Sequence, residues 1–83
     1  MTRDDARARV RQFLEPHFGT HELRNDDNLF QLGYVNSLFA MQLVAFVEKE
    51  FRIEVQSSDL EIENFQSIEA IARLVEAKSA AAA

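Results

Sequence analysis

Cysteine is absent from the 83 residues, glycine occurs twice and proline once. Without cysteine there is no disulfide framework, no thiolate zinc site and no thiol nucleophile. Small secreted folds usually carry such staples, so the chain is expected in the cytoplasm. The shortage of turn-formers argues against a small sandwich or barrel, which needs a tight turn every few residues. No apolar run approaches the roughly 18–20 residues of a membrane span, and the N-terminus lacks a signal peptide's apolar core. Cations are scarce beyond the first segment: residues 25–83 carry four against ten acids, residues 1–24 five arginines against four acids. At a net charge of −5 the chain is a poor match for nucleic acid, whose affinity rests on phosphate neutralisation. Basic protein partners fit better.

What is present is a globular balance, 47% hydrophobic and 28% charged, rather than the polar composition of disorder. A chain of 9.5 kDa is one domain, 1–83, structured over about 4–76, too small for a deep cleft between lobes. The spacing of Val10, Phe13, Leu14 and Phe18 predicts a first helix from about Asp4. Asp4 or Asp5 caps it, Pro16 ends its regular part near Glu15, and Gly19 closes the segment. Residues 20–36 show no period and form a long loop, pinned by Leu29 and Phe30, with Asp26, Asp27 and Asn28 as turn residues. A second helix starts at Asn36 or Ser37 and runs to about Phe51, with Ala40, Leu43, Val44, Val47 and Phe51 on its core face. Phe39, Gln42, Phe46 and Lys49 lie on its flank, and it is apolar around more of its girth than a surface helix needs. After an extended link at Arg52–Gln56, Ser58 or Asp59 caps a short helical turn to about Ile62. Phe65 anchors the next junction. The last helix begins near Ser67 with Ile68, Ile71, Ala72 and Val75 inward and Leu74 beside them. Residues 79–83 fray. The fold class is therefore all-α, a four-helix bundle of three main helices and one short one.

Few residues are equipped for chemistry. His17 and His21 lie four apart but straddle Gly19 and lack further metal ligands, so both read as exposed histidines. Asp26-Asp27-Asn28 lacks the alternation and glycine of a calcium loop. Arg3, Arg7 and Arg11 share a face, with a possible Asp5–Arg9 pair, and read as a solvated surface. Ser37 has no neighbouring base and sits in no nucleophile elbow. It opens the most apolar helix after a glycine-containing loop. Helix N-termini present unpaired N–H groups and a positive dipole end, which suits a phosphate ester. Capping explains Ser37 equally simply, although Asn36 caps at least as well.

The run Asn28-Leu29-Phe30-Gln31-Leu32-Gly33-Tyr34-Val35-Asn36-Ser37-Leu38 resembles the loop before the modified serine of acyl carrier proteins. Glu48-Lys49-Glu50-Phe51-Arg52-Ile53-Glu54-Val55 resembles the end of that family's second helix, and Asn64-Phe65-Gln66-Ser67-Ile68 the start of its last. The resemblance covers roughly residues 4–76. It implies a carrier rather than an enzyme: a monomer whose Ser37 receives a 4′-phosphopantetheine arm from coenzyme A through a phosphopantetheinyl transferase. The arm's thiol then holds an acyl group as a thioester. Partners implied are that transferase and acyl-loading and acyl-modifying enzymes.

Departures from the family pattern shape the docking expectation. Asn36 stands where an aspartate is usual, and Phe39 and Gln42 occupy positions that are often acidic. Docking is therefore expected to use apolar contact through Val35, Leu38 and Phe39, with Asn36, Gln42, Asp59 and Glu61 around them. The run from Gly33 to Val44 is similar to discrete carriers of unusual polyketide extender units, of the glyceryl-to-methoxymalonyl type used in antibiotic biosynthesis. That similarity adds a polyketide synthase acyltransferase to the partners. Two alternatives stand beside it. One is a peptidyl or aminoacyl carrier, which often places Gly-Gly and His or Asp near the serine. The other is an unmodified helical interaction module that binds through exposed Phe39 and Phe46.

Overall fold

Among the described residues the chain is all-helical, as its periodicities predict. The computed structural model describes residues 2–18, 23–33 and 35–82, with backbone alone at 18, 37 and 80–82. Helix α1 spans Arg3–Phe18, α2 Ser37–Phe51, α3 Ile62–Phe65 and α4 Ile68–Ala82. A 3-10 turn at Ser57–Asp59 precedes α3.

Helix α1 buries Ala6, Val10 and Leu14, a stripe at four-residue spacing that packs chiefly on α4. Its cap is Thr2, whose hydroxyl accepts from the Asp5 amide at 3.2 Å, not either of the two aspartates. The helix also continues through Pro16 to Phe18. Proline deletes one hydrogen bond near the helix end, and Pro16 itself is exposed, so the last turn survives. Gly19 and His21 lie outside the described residues.

The arginine face is not a solvated one. Arg7 donates to both carboxylate oxygens of Glu69, at 2.6 and 2.9 Å, and pairs with Asp4. Arg3 donates to Glu76 at 2.8 Å, and Arg11 holds the Leu23 carbonyl and the Asn25 side chain. Arg9 pairs with Glu50 at 3.0 Å rather than with Asp5. Arg3, Arg7 and Arg11 line the seam between α1, α4 and the loop, while Arg9 reaches across to α2.

The loop is stitched to the start of α4. The Leu29 amide donates to the Gln66 carbonyl at 2.7 Å, and the Glu69 amide donates to the Asn25 carbonyl at 2.9 Å. Asn28 accepts from the Phe30 and Gln31 amides, and Asp27 from the Arg24 amide, each as a turn residue. Leu29 is fully buried and Phe30 half-buried. Gly33 adopts φ +80°, the left-handed region open to glycine.

Leu43, Val47 and Phe51 of α2 join the core, while Ala40 and Val44 stay half-buried. Helix α4 contributes Ile68, Ile71, Ala72 and Val75, with Leu74 half-buried beside them. It is helical to Ala82, as suits alanine, the strongest helix former. The short helix also lies later than the sequence suggests. Asp59 accepts from the Gln56 amide at 2.9 Å and so closes the 3-10 turn behind it instead of opening a helix ahead. Leu60, at φ −82° and ψ 62°, interrupts the helical path before α3.

Candidate functional site

Position 37 is the first residue of α2, delivered by the Gly33 turn and fixed by a cap from the residue before it. Asn36 is extended, and its Oδ1 accepts from the Phe39 amide at 2.9 Å. Its carbonyl oxygen accepts from the Ala40 amide at 2.8 Å. By helix geometry the amides of Ser37 and Leu38 have no acceptor within the helix. The first turn holds no acidic side chain, so no charge of the helix's own first turn offsets its positive end. That arrangement suits a phosphodiester.

Beside this helix end lies a cleft of about 660 Å³. Asn36 stands at its rim, with Phe30 from the loop, Ala40, Met41 and Val44 from α2, and Leu60, Ile62 and Phe65 from the opposite wall. Glu61 is its one charged lining residue. These positions, Asn36 and Glu61 apart, were not singled out as a site from the sequence. The excess apolar girth of α2 was their trace: Ala40, Met41 and Val44 supply one wall. A second hollow of about 720 Å³, lined by Arg9, Phe46, Lys49, Glu50, Phe51 and Arg52, lies at the far end of α2. A 15-residue helix places it roughly 20 Å from position 37, away from this chemistry.

The residues expected to form a docking face are spread over different environments. Leu38 is 69% exposed, and Asn36, Gln42 and Glu61 are also exposed. Val35 is buried and contributes to the core instead. Phe39 is half-buried, stacked at 6.0 Å on Phe13 with the His17 ring at 4.8 Å, so α1 covers it. Phe46 likewise stacks on Phe13 at 4.2 Å. These two aromatics are part of the α1–α2 seam, and the exposed pair required by an interaction module is not present. Asp59 is turned to Lys78, whose Nζ donates to its Oδ2 at 2.6 Å. The Lys78 bond, with that from Gln56, holds the Asp59 carboxyl below the usual carboxylate range. Met41, 72% exposed beside Leu38, is an apolar surface residue that sequence reasoning passed over.

No helix among the described residues is long and apolar enough to cross a membrane. A family model described as a phosphopantetheine attachment site matches residues 8–75, a span that contains all of α2, the 3-10 turn and α3, and most of α1 and α4. No curated protein gives a significant match to the chain.

Proposed function

The chain belongs to the phosphopantetheine-attachment family, and from that premise we propose that Ser37 is the residue that bears the arm. Members hold 4′-phosphopantetheine covalently and are carriers for partner enzymes, so the chain is a carrier and not itself a catalyst. Its partners include a phosphopantetheinyl transferase and the enzymes that load and modify the carried group. When bound, the arm supplies a terminal thiol that carries an acyl group as a thioester.

One observation carries the assignment to Ser37. Asn36 makes the capping bond of α2, so the fold does not require a serine hydroxyl at the next position. The residue stands at an acid-free helix N-terminus, where backbone amides and the helix dipole favour the phosphodiester. Intact mass after incubation with coenzyme A and a broad-specificity transferase tests the reading, with Ser37→Ala in parallel. A single phosphopantetheine addition on the wild type alone is the expected result. Addition to both proteins, or to neither while folded, overturns it.

The docking face on this reading comprises Leu38, Met41 and Gln42, with Asn36 and Glu61 at its edge. It relies on apolar contact more than on charge, because the first turn of α2 has no acid. The cargo proposed from the Gly33–Val44 run is a polyketide extender unit of the glyceryl-to-methoxymalonyl type, delivered to a synthase acyltransferase. The cleft favours a second reading, an apolar acyl chain, since a polar three-carbon unit gains little from a lining of Met41, Val44, Leu60 and Ile62. Loading octanoyl and glyceryl thioesters in turn separates the two. Methyl resonances of Met41, Leu60 and Ile62 that shift with octanoyl alone assign the cleft to an apolar chain.

A further inference from the structure

The segment between Val55 and Phe65 forms the outer wall of the cleft, yet little buries it. Its 3-10 turn has no buried side chain, and Phe65 is the one buried residue of α3. Leu60 and Ile62 line the cleft but are 56% and 62% exposed, as Met41 is on the opposite side. Apolar burial favours bringing these side chains together. What opposes closure is a tie in the other direction, for α3 packs chiefly on α4.

That tie centres on Asp59. Its carboxylate receives Lys78 of α4 at 2.6 Å and the Gln56 amide at 2.9 Å. Its carbonyl oxygen accepts from the Asn64 side chain at 2.9 Å. Among the described ion pairs this is the least exposed, with 21% of the Lys78 side chain and 19% of the Asp59 side chain accessible. The lysine comes from the stretch of α4 beyond Val75, the last buried core residue among its described side chains.

We propose that the Asp59–Lys78 ion pair is a latch that holds the wall at 57–62 back against α4 and keeps the α2–α3 cleft open. Breaking the pair lets the wall close on Met41. Both are positioning residues: they fix the wall and are not among the residues that line the cleft. The latch itself stands on the geometry of the chain without its arm. Its use, admitting and releasing an apolar group, rests on the reading of the cleft given above.

Because the chain has no cysteine, Ala45→Cys and Ser58→Cys introduce two unique sites, both exposed in the structure. Spin labels there report the distance from α2 to the wall, measured on the chain without its arm. Lys78→Met is expected to shorten the mean distance by about 4 Å, one carbon–carbon contact, with helical circular dichroism retained. Lys78→Arg is expected to restore the wild-type distance. Asp59→Asn, which keeps an acceptor for Gln56, is expected to reproduce the effect of Lys78→Met and carries the test if that variant does not fold. An unchanged or longer distance in the folded variants overturns the latch. So does unfolding of both, because the pair would then hold the whole bundle rather than the wall. Failure here with arm attachment intact leaves the carrier site standing, and failure of arm attachment with the distance shift leaves the latch standing.

Discussion

The α1–α4 seam and the α2–α3 cleft are built from the same kinds of residue to opposite effect. Along the seam Ala6, Val10 and Leu14 meet Ile68, Ile71, Ala72 and Val75, all but fully buried, and the Arg3–Glu76 and Arg7–Glu69 pairs close its edge. Across the cleft, Met41, Leu60 and Ile62 stay more than half exposed, and the Asp59–Lys78 ion pair ties the wall to α4. On the carrier reading proposed above, the difference separates a stabilising half from a working half. A carrier must keep its fold while presenting apolar surface to successive enzymes, and dividing these tasks between two faces lets one be rigid and the other open.

The sharpest way to break this comparison is to truncate one side chain on each face. Ile71→Ala, in the seam, is expected to cost about 2–5 kcal/mol in denaturant unfolding, the range for emptying a fully buried aliphatic site. A cost no larger than that of a surface change would mean the seam is not the stabilising half.

Asn36→Ala lies between the two halves, at the cap of α2, and is expected to cost about 1 kcal/mol. Hydrogen exchange of the first turn of α2 should rise while α1 and α4 keep their protection. A uniform rise would show that the cap supports the whole bundle.

The seam should also weaken in acid. The hydrogen bond from Arg7 holds the Glu69 carboxyl below its ordinary range. A group lowered in the folded state adds stability above its unfolded pKa, and that stability is lost as pH falls through the folded value. The loss is therefore expected below about pH 4, and Glu69→Gln should flatten the dependence of unfolding on pH there. An equally steep dependence in the variant would remove the pair from the account.

Smallest of all should be Met41→Ala, on the cleft side, at about 0.5 kcal/mol or less. Its effect is expected in partner binding instead, read as weaker association with an acyl-loading enzyme at unchanged melting temperature. A loss of stability like that of Ile71→Ala would erase the distinction between the faces.

Much of this architecture was legible in the chain. Val10 and Leu14, Leu43 and Val47, and Ile68, Ile71 and Val75 recur at helical spacing, and each proved buried. Such periodicity is a local property, so a linear reading finds it. The loop's landmarks were legible for the same reason: Leu29 as a pin and Asn28 as a turn former act within a few residues of themselves. The arginines were misread because their partners lie far away in sequence. Arg7 and Glu69 are 62 positions apart, and Arg3 and Glu76 are 73 apart. On a helical wheel they look like solvated charges.

The sequence by itself determined the helices, the inward stripes and the position from which α2 starts, because propensity, capping and apolar period act over one or two turns. Tertiary structure alone decided that Phe39 turns to Phe13, that Val35 joins the core and that Asp59 faces Lys78. It alone decided that an apolar cleft opens beside position 37. Each of these depends on how the faces of separate helices meet, and a one-dimensional pattern holds a helix's face without holding the neighbour that will cover it.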